Sequence, residues 1–405
     1  MAGGLLSIEE ARARILEPLT PTPAETVPIA AALGRVAAVP VIARRTQPPF
    51  DVSAMDGYAL PSVDGHEGAR LRLIGSAPAG HPFAGRLGRG EAVRIFTGSV
   101  MPEGADAVLL QEDAQEKEGE VTVGETVVAG RHIRRAGQDF HEGAVLVHAG
   151  RRLTARDIGL SAAGNHPWIT VHRAPRLAIL ATGDEIALPG EPLPPGGIVS
   201  SNAHALAALA IAAGAEPTVL PVAPDDIAAI AEAAAATRGM DLLVTTGGAS
   251  VGEHDLVRAG LSQRGFALDF WQIAMRPGKP LMAGRVGGVP VLGLPGNPVS
   301  AMVCAILFLM PALARLSGLP GEAPPTEEMT LGAAVSANDG RADHLRASLA
   351  RGDAGRLIAV PFPRQDSSLL RLLAEADALI LRPPHAPALA AGETVPVIRL
   401  DRLGV

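Results

Sequence analysis

Between residues 176 and 320 the chain alternates short apolar runs with helix-forming stretches, and this alternation narrows the possible folds more than any other feature. Residues 177–181, 219–222, 242–245 and 291–294 read as strands. Residues 202–213, 225–237 and 254–262 read as helices, and a long helix follows Asn297. Strands separated by helices predict a mostly parallel sheet covered by helices. Three loops follow predicted strands: Thr182-Gly183-Asp184-Glu185, Thr246-Gly247-Gly248-Ala249-Ser250-Val251-Gly252 and Pro295-Gly296-Asn297-Pro298. In open α/β sheets the carboxyl ends of the strands form the ligand crevice. The second loop is glycine-rich, so its N–H groups can approach an anion closely. The third sets Pro298 in the first turn of a helix, a position suited to proline and to anions. Together they suggest a ligand bearing phosphate. No Walker loop and no dinucleotide fingerprint is present.

The flanking regions differ in character. Residues 1–45 and 146–175 read as helical and form one discontinuous domain, opened by the capping box Ser7-Ile8-Glu9-Glu10. Thr154 is a candidate cap for a helix over 158–163. Residues 46–145 carry β-like runs at 71–74, 92–96, 105–110 and 121–123 between Gly/Pro turns, and read as an inserted β domain. Residues 176–322 are the α/β domain. After a Pro/Glu-rich linker, residues 323–405 carry runs at 357–360, 378–381 and 395–400, which predict a small C-terminal β domain. The fold class is therefore α/β plus β domains in one multidomain subunit.

Composition excludes several functions. Aromatic residues make up 3% of the chain, so a stacking surface for nucleic acid is not expected. A net charge of -7 provides no bulk basic field for DNA, RNA or acidic lipid. The single cysteine, Cys304, allows no internal disulfide and reads as a buried hydrophobe. Residues 299–316 are the best membrane candidate, but Ser300, Pro311 and Arg315 favour a buried core helix. No signal peptide is recognisable, and the expected location is the cytoplasm.

Lysine is nearly absent: Lys117 and Lys279 stand against 33 arginines among the 35 cations. Lys117 lies in an acidic stretch. Lys279 lies in Arg276-Pro277-Gly278-Lys279-Pro280, and two readings stand for it: a place that takes a compact ammonium where a planar guanidinium does not fit, or one lysine surviving by chance. Asp56, Asp139, Glu185, Asp225 and Asp255 form a candidate acidic set, with helix capping as the competing role for Asp225 and Asp255. Met55 and Tyr58 read as packing residues. Carboxylates beside a phosphate site suit Mg²⁺, a cation that prefers oxygen ligands. No HExxH spacing and no serine nucleophile elbow is present.

Seven motifs, in order, carry a resemblance. They are Pro48-Pro49-Phe50-Asp51-Val52-Ser53-Ala54-Met55-Asp56-Gly57-Tyr58-Ala59, Phe96-Thr97-Gly98, Gly137-Gln138-Asp139, the loops at 182–185 and 246–252, Met275-Arg276-Pro277-Gly278-Lys279-Pro280, and Leu294-Pro295-Gly296-Asn297-Pro298-Val299-Ser300. The chain resembles the molybdopterin molybdenumtransferases of the MoeA family, to which the C-terminal domain of gephyrin is related. The resemblance implies an elongated homodimer of four-domain subunits with a molybdopterin-binding α/β domain. It implies adenylylated molybdopterin and molybdate as substrates, release of AMP, and Mg²⁺. It also implies other cofactor-biosynthesis proteins and acceptor apo-enzymes as partners. By position, Asp56, Thr97, Asp139, Glu185, Asp225 and Asp255 match site residues of the family, with Glu185 and Asp225 as metal ligands. Gly247, Gly248, Ser250, Arg276, Lys279, Pro295, Asn297 and Ser300 match its pterin- and oxyanion-handling residues, and Arg346 and Ser367 its molybdate pocket. The chain departs from the family at Gln272, where some relatives carry lysine, and at Arg276, which replaces a common lysine. The resemblance also suggests that the β domain closes the α/β cleft of a partner subunit. Two alternatives stand beside the transferase: a molybdopterin-binding scaffold without a primary catalytic role, and an unrelated Mg²⁺-dependent phosphotransferase.

Overall fold

The computed structural model describes residues 5–247, 256–352 and 355–404. The chain separates into two compact units. One comprises Thr26–Leu33 and Val39–Thr170, the other Met1–Glu25, Gly34–Ala38 and Val171–Val405.

The expectation that 1–45 and 146–175 are helical needs correction. The first segment holds one α-helix, α1 (Ile8–Leu16), followed by a strand Ala24–Pro28 and a single 3₁₀ turn. Ser7 and Glu10 close the predicted capping box over α1. Beyond it, Pro18, Pro21, Pro23 and Pro28 remove the N–H donors a helix needs. The second segment again holds one α-helix before a strand Trp168–His172, whose Ile169, Thr170 and Val171 are β-branched.

The first unit is built on a six-stranded sheet. Its strands are β1 (Gly57–Leu60), β2 (Arg70–Ala77), β3 (Glu91–Ile95), β4 (Ala107–Leu110), β5 (Ala114–Lys117) and β6 (Glu120–Val123), in the order β4-β1-β3-β2-β6-β5. Its core is aliphatic around Tyr58, which is buried with its hydroxyl donating to Glu116. Met55 is not a packing residue but is 44% exposed. The Ser53 hydroxyl holds the Met55 carbonyl in a tight turn that faces outward. Helix α2 (Ala155–Ala163) is capped by Thr154 with Asp157 as its capping-box partner.

The second unit contains the α/β sheet. Strands β7 (Arg176–Ala181), β8 (Glu216–Val219), β9 (Leu242–Thr246), β10 (Ala267–Trp271), β12 (Met282–Val286) and β13 (Val289–Leu294) run in the order β8-β7-β9-β13-β12-β10; a short strand β11 (Met275–Arg276) lies between β10 and β12 in sequence. The first four are parallel, and β12 and β10 add an antiparallel edge. Helices α3 (Asn202–Ala212), α4 (Ile227–Ala235) and α5 (Leu256–Ser262) make the crossovers. Strand β8 ends three residues before the predicted limit, since Pro221 has no N–H to extend the ladder. The cap of α4 is Asp226, not Asp225.

A continuous apolar helix fills the middle of this unit. It runs through α6 (Pro298–Cys304), a π turn over Ala305–Leu309 and α7 (Met310–Leu316). The π turn widens the backbone just ahead of Pro311, which would break a regular helical ladder. This helix is long and apolar enough to cross a membrane, yet Phe308, Leu309 and Leu313 are completely buried in the unit. It packs with α1 and one face of the sheet in a single core.

The C-terminal strands are β14 (Thr326–Leu331), β15 (Ala342–Arg351), β16 (Leu357–Pro361), β17 (Ala378–Arg382) and β18 (Thr394–Arg399), with a short helix α8 (Leu370–Ala374). They close into a barrel in the order β15-β16-β14-β18-β17, and β17 pairs back onto β15. Strand β11 joins the outside of β15 in parallel, with Arg276 opposite Asp343.

Candidate functional site

Strand β7 leads through α3 to β8 on one side, and α4 then returns the chain to β9 on the other. The order therefore reverses between β7 and β9, the place where α/β sheets bind ligands. A cleft of about 710 Å³ opens there. Its floor is Thr182 after β7, Thr246 and Gly247 after β9, and Gly296 after β13. Glu185, Pro295, Asn297 and Ser300 line it, as does Pro280, which follows Lys279. Ser368 and Leu370 of the C-terminal domain supply a wall.

Close backbone approach shapes the floor. Gly247 has φ +97°, and a Cβ there would lie 2.7 Å from the Thr182 carbonyl. Asn202, at the start of α3, locks the loops together. Its amide donates to Thr246 Oγ1 at 2.9 Å and to the Gly296 carbonyl at 2.7 Å. The Thr182 hydroxyl is buried and has no partner among the described residues. Sequence reasoning missed Asn202, and placed Thr182 and Thr246 in candidate loops without giving their side chains a role. The one available signal was Ser200-Ser201-Asn202 ahead of an Ala-rich helix, which reads as simple capping.

The acidic residues divide between places. Glu185 is exposed and lines the cleft. Asp184 accepts the backbone N–H of Asp225 at 3.0 Å, tying the loop after β7 to the loop before α4. Asp225 is therefore exposed and free of the capping duty that Asp226 performs. Among the described residues, no three His, Cys, Asp or Glu side chains form a ready metal cage. Mg²⁺ does not require one, because it binds through one or two carboxylates with waters and substrate phosphates. Glu185 and Asp225 fit that donor set. Gly248, Ser250 and Asp255 lie outside the described residues.

Asp56, Thr97 and Asp139 belong to the other unit. Asp56 Oδ1 accepts both the N–H of Thr97, at 2.7 Å, and its hydroxyl, at 2.8 Å. These bonds, the backbone N–H first, hold the Asp56 carboxyl below the usual range. Asp139 is exposed, and its N–H donates to the Gln47 carbonyl. Asp51 accepts from the Ala136 N–H and from Arg135, so the 48–59 motif is stitched to the segment before Asp139.

The predicted cations have different surroundings. Lys279 is exposed, and its ammonium makes no ion pair or hydrogen bond with any described residue. Arg276 instead donates two bonds to Asp343, at 2.9 and 2.7 Å, and lies 3.8 Å from Asp339. Arg346 is 1% exposed. Its guanidinium donates to the carbonyls of Leu369 and Asp366 at 3.1 and 2.9 Å, and to the Gln365 side chain. It thus fixes the loop that carries Ser367. Ser367 in turn accepts the Val299 N–H at its carbonyl and the Asn297 amide at its hydroxyl.

A cleft at a sheet switch point, walled by a β-barrel domain and joined in one chain to a further β unit, is the architecture of a multidomain protein that holds a small ligand. Comparison with known proteins makes the class specific. Residues 6–164 match the profile of the MoeA N-terminal region (domains I and II), 178–315 a probable molybdopterin-binding domain, and 328–400 the MoeA C-terminal region (domain IV). A molybdopterin molybdenumtransferase of Haemophilus influenzae is 33% identical, covering 98% of this chain and 100% of its own. Molybdopterin molybdenumtransferase 2 of Mycobacterium tuberculosis is 35% identical over 96% of this chain and 98% of its own. A crystal structure of a molybdopterin biosynthesis MoeA protein from Pyrococcus horikoshii aligns with a TM-score of 0.84 at 31% identity, covering 98% of this chain and 99% of that one. The chain belongs to the MoeA family, the molybdopterin molybdenumtransferases of molybdenum cofactor biosynthesis.

Proposed function

We propose that this chain inserts molybdate into adenylylated molybdopterin and releases AMP. The observation that carries the proposal is the cleft at the β7/β9 switch point, with Pro280 in its wall beside Lys279, which has no partner among the described residues. Molybdate is a tetrahedral dianion and needs a cationic donor. The hydroxyl groups of Thr182, Ser300 and Ser368 suit the polar edges of a pterin, with Asn202 holding the loops around them. Mg²⁺, held by Glu185 and Asp225, would neutralise charge on the pyrophosphate link. The assignment of Asp56, Thr97, Asp139 and Asp255 to the chemistry follows the family motifs. The division at 45, 145, 175 and 322 belongs to the same proposal, as do a cytoplasmic homodimer as the working form and a hand-over to acceptor apo-enzymes.

The direct test is AMP release from adenylylated molybdopterin with molybdate and Mg²⁺. Tight pterin binding without AMP would instead make the protein a scaffold. Asp56→Asn keeps the size of the side chain but removes a charge that Thr97 has oriented. It should lower kcat by ~10²-fold, the lower range for a positioned acid or base, with pterin affinity unchanged. Equal turnover in the variant would remove Asp56 from the chemistry. Gly247→Ala forces a Cβ toward the Thr182 carbonyl from a backbone conformation that side chains rarely adopt. Strain of roughly 1–3 kcal/mol should weaken pterin binding by calorimetry about 5- to 150-fold. Wild-type affinity would mean that the floor of the cleft tolerates movement.

A further inference from the structure

We propose that Arg276 is a positioning residue rather than an oxyanion ligand, and that Asp343, on the C-terminal barrel, is the residue that makes it one. Arg276 ends β11, and Asp343 lies opposite it on β15. The guanidinium meets the carboxylate with two parallel bonds, at 2.9 Å from Nε and 2.7 Å from Nη2. Asp343 is 6% exposed, so its carboxylate is shielded from competing water, while the Arg276 side chain reaches it from a half-exposed position. Asp339 stands 3.8 Å from Nη1, and Arg341 in turn holds Asp339. All three guanidinium nitrogens thus face protein carboxylates.

Three residues further on is Lys279. The loop between is short and closed, since the Ile273 N–H donates to the Lys279 carbonyl at 3.0 Å. Gly278 lies within it against the buried Cys304, where a Cβ would come 2.5 Å from the sulfur. Fixing Arg276 on the barrel therefore fixes the base of the loop that sets Lys279 and Pro280 at the cleft. A lysine at 276 would carry the same charge but could not make the two-pronged bond. Arginine here exchanges a cation available to ligand for a mechanical tie, and leaves the oxyanion to Lys279.

The inference rests on the proposed molybdate reaction only for its kinetic arm. Arg276→Lys and Asp343→Asn should each raise the KM for molybdate about 5- to 20-fold with kcat changed less than 3-fold. The double variant should behave like either single one, because each change breaks the same tie. In all three, amide exchange over 273–281 should speed up, whether or not the protein turns over. If Arg276 contacts the oxyanion itself, Asp343→Asn should leave the KM unchanged or lower it, and the two effects should multiply. Either result would overturn the proposal, as would unchanged exchange in Asp343→Asn. A wild-type protein that binds pterin but releases no AMP would fail the reaction while leaving the exchange result to decide the tie.

Discussion

Lys279→Ala is expected to lower kcat/KM for molybdate by roughly 10- to 150-fold, the size of a charge-assisted bond of about 1.5–3 kcal/mol. The reason is local. The neighbouring Arg276 is engaged by Asp343, and Arg346 is buried among carbonyls, so neither can take over. Lys279→Arg should recover only part of the loss, because a planar fork replaces a compact ammonium. Unfolding temperature should barely move, since the ammonium touches no described group. Steady-state kinetics at varied molybdate checks this, and a loss smaller than about 3-fold would mean that the oxyanion is bound elsewhere.

Arg346→Ala should be the most destabilising single change proposed. The side chain is fully buried, and its donors satisfy the Leu369 and Asp366 carbonyls and Gln365. Truncation leaves these groups desolvated and unpaired, at a cost of about 3–5 kcal/mol. Chemical unfolding should show an early transition of the C-terminal barrel. The Ser367 loop should loosen with it, so the cleft would lose the wall formed by Ser368 and Leu370. Burial already holds the Arg346 guanidinium below its usual pKa, against the opposing charge of Asp366. Arg346→Met, similar in length and uncharged, should be milder than alanine. A two-state unfolding curve at wild-type denaturant concentration would remove the structural role assigned here.

The α/β part was the most legible in the sequence. Its strands β7, β9 and β13 are buried on both faces and alternate with helices, so periodicity and turn residues agree there, whereas the edge strand β10 is mostly exposed and neither it nor its neighbour β12 was read. The barrel was harder to read. Its longest strand, Ala342–Arg351, was missed because Asp343, His344 and Arg346 interrupt its apolar pattern. Those polar groups are buried by tertiary partners, Asp343 by Arg276 and Arg346 by the 364–369 loop, and no local pattern reveals such partners. Residues 1–45 were misread because an apolar count does not weigh prolines placed every few residues. At the site, motifs identified the carboxylates and Lys279 as candidates. They could not show that Arg276 is already paired, nor that Asn202 links three loops, since both facts depend on contacts between distant segments.

One feature of the core bears on how the chain is made. Helix α1 buries Ile8, Ala11 and Ile15 in the same cluster as Leu313 and Leu316, and the Thr22 N–H donates to the Leu316 carbonyl. The ribosome releases one partner at the start of the chain and the other only after the whole Thr26–Thr170 region has emerged. The unit containing β1–β6 can therefore fold during synthesis, as domains generally do. The N-terminal helix must wait, its apolar stripe uncovered, for a segment far downstream. Long-range closure of this kind is slow, and until it happens Ile8, Ala11 and Ile15 lack the apolar partners they have in the folded unit.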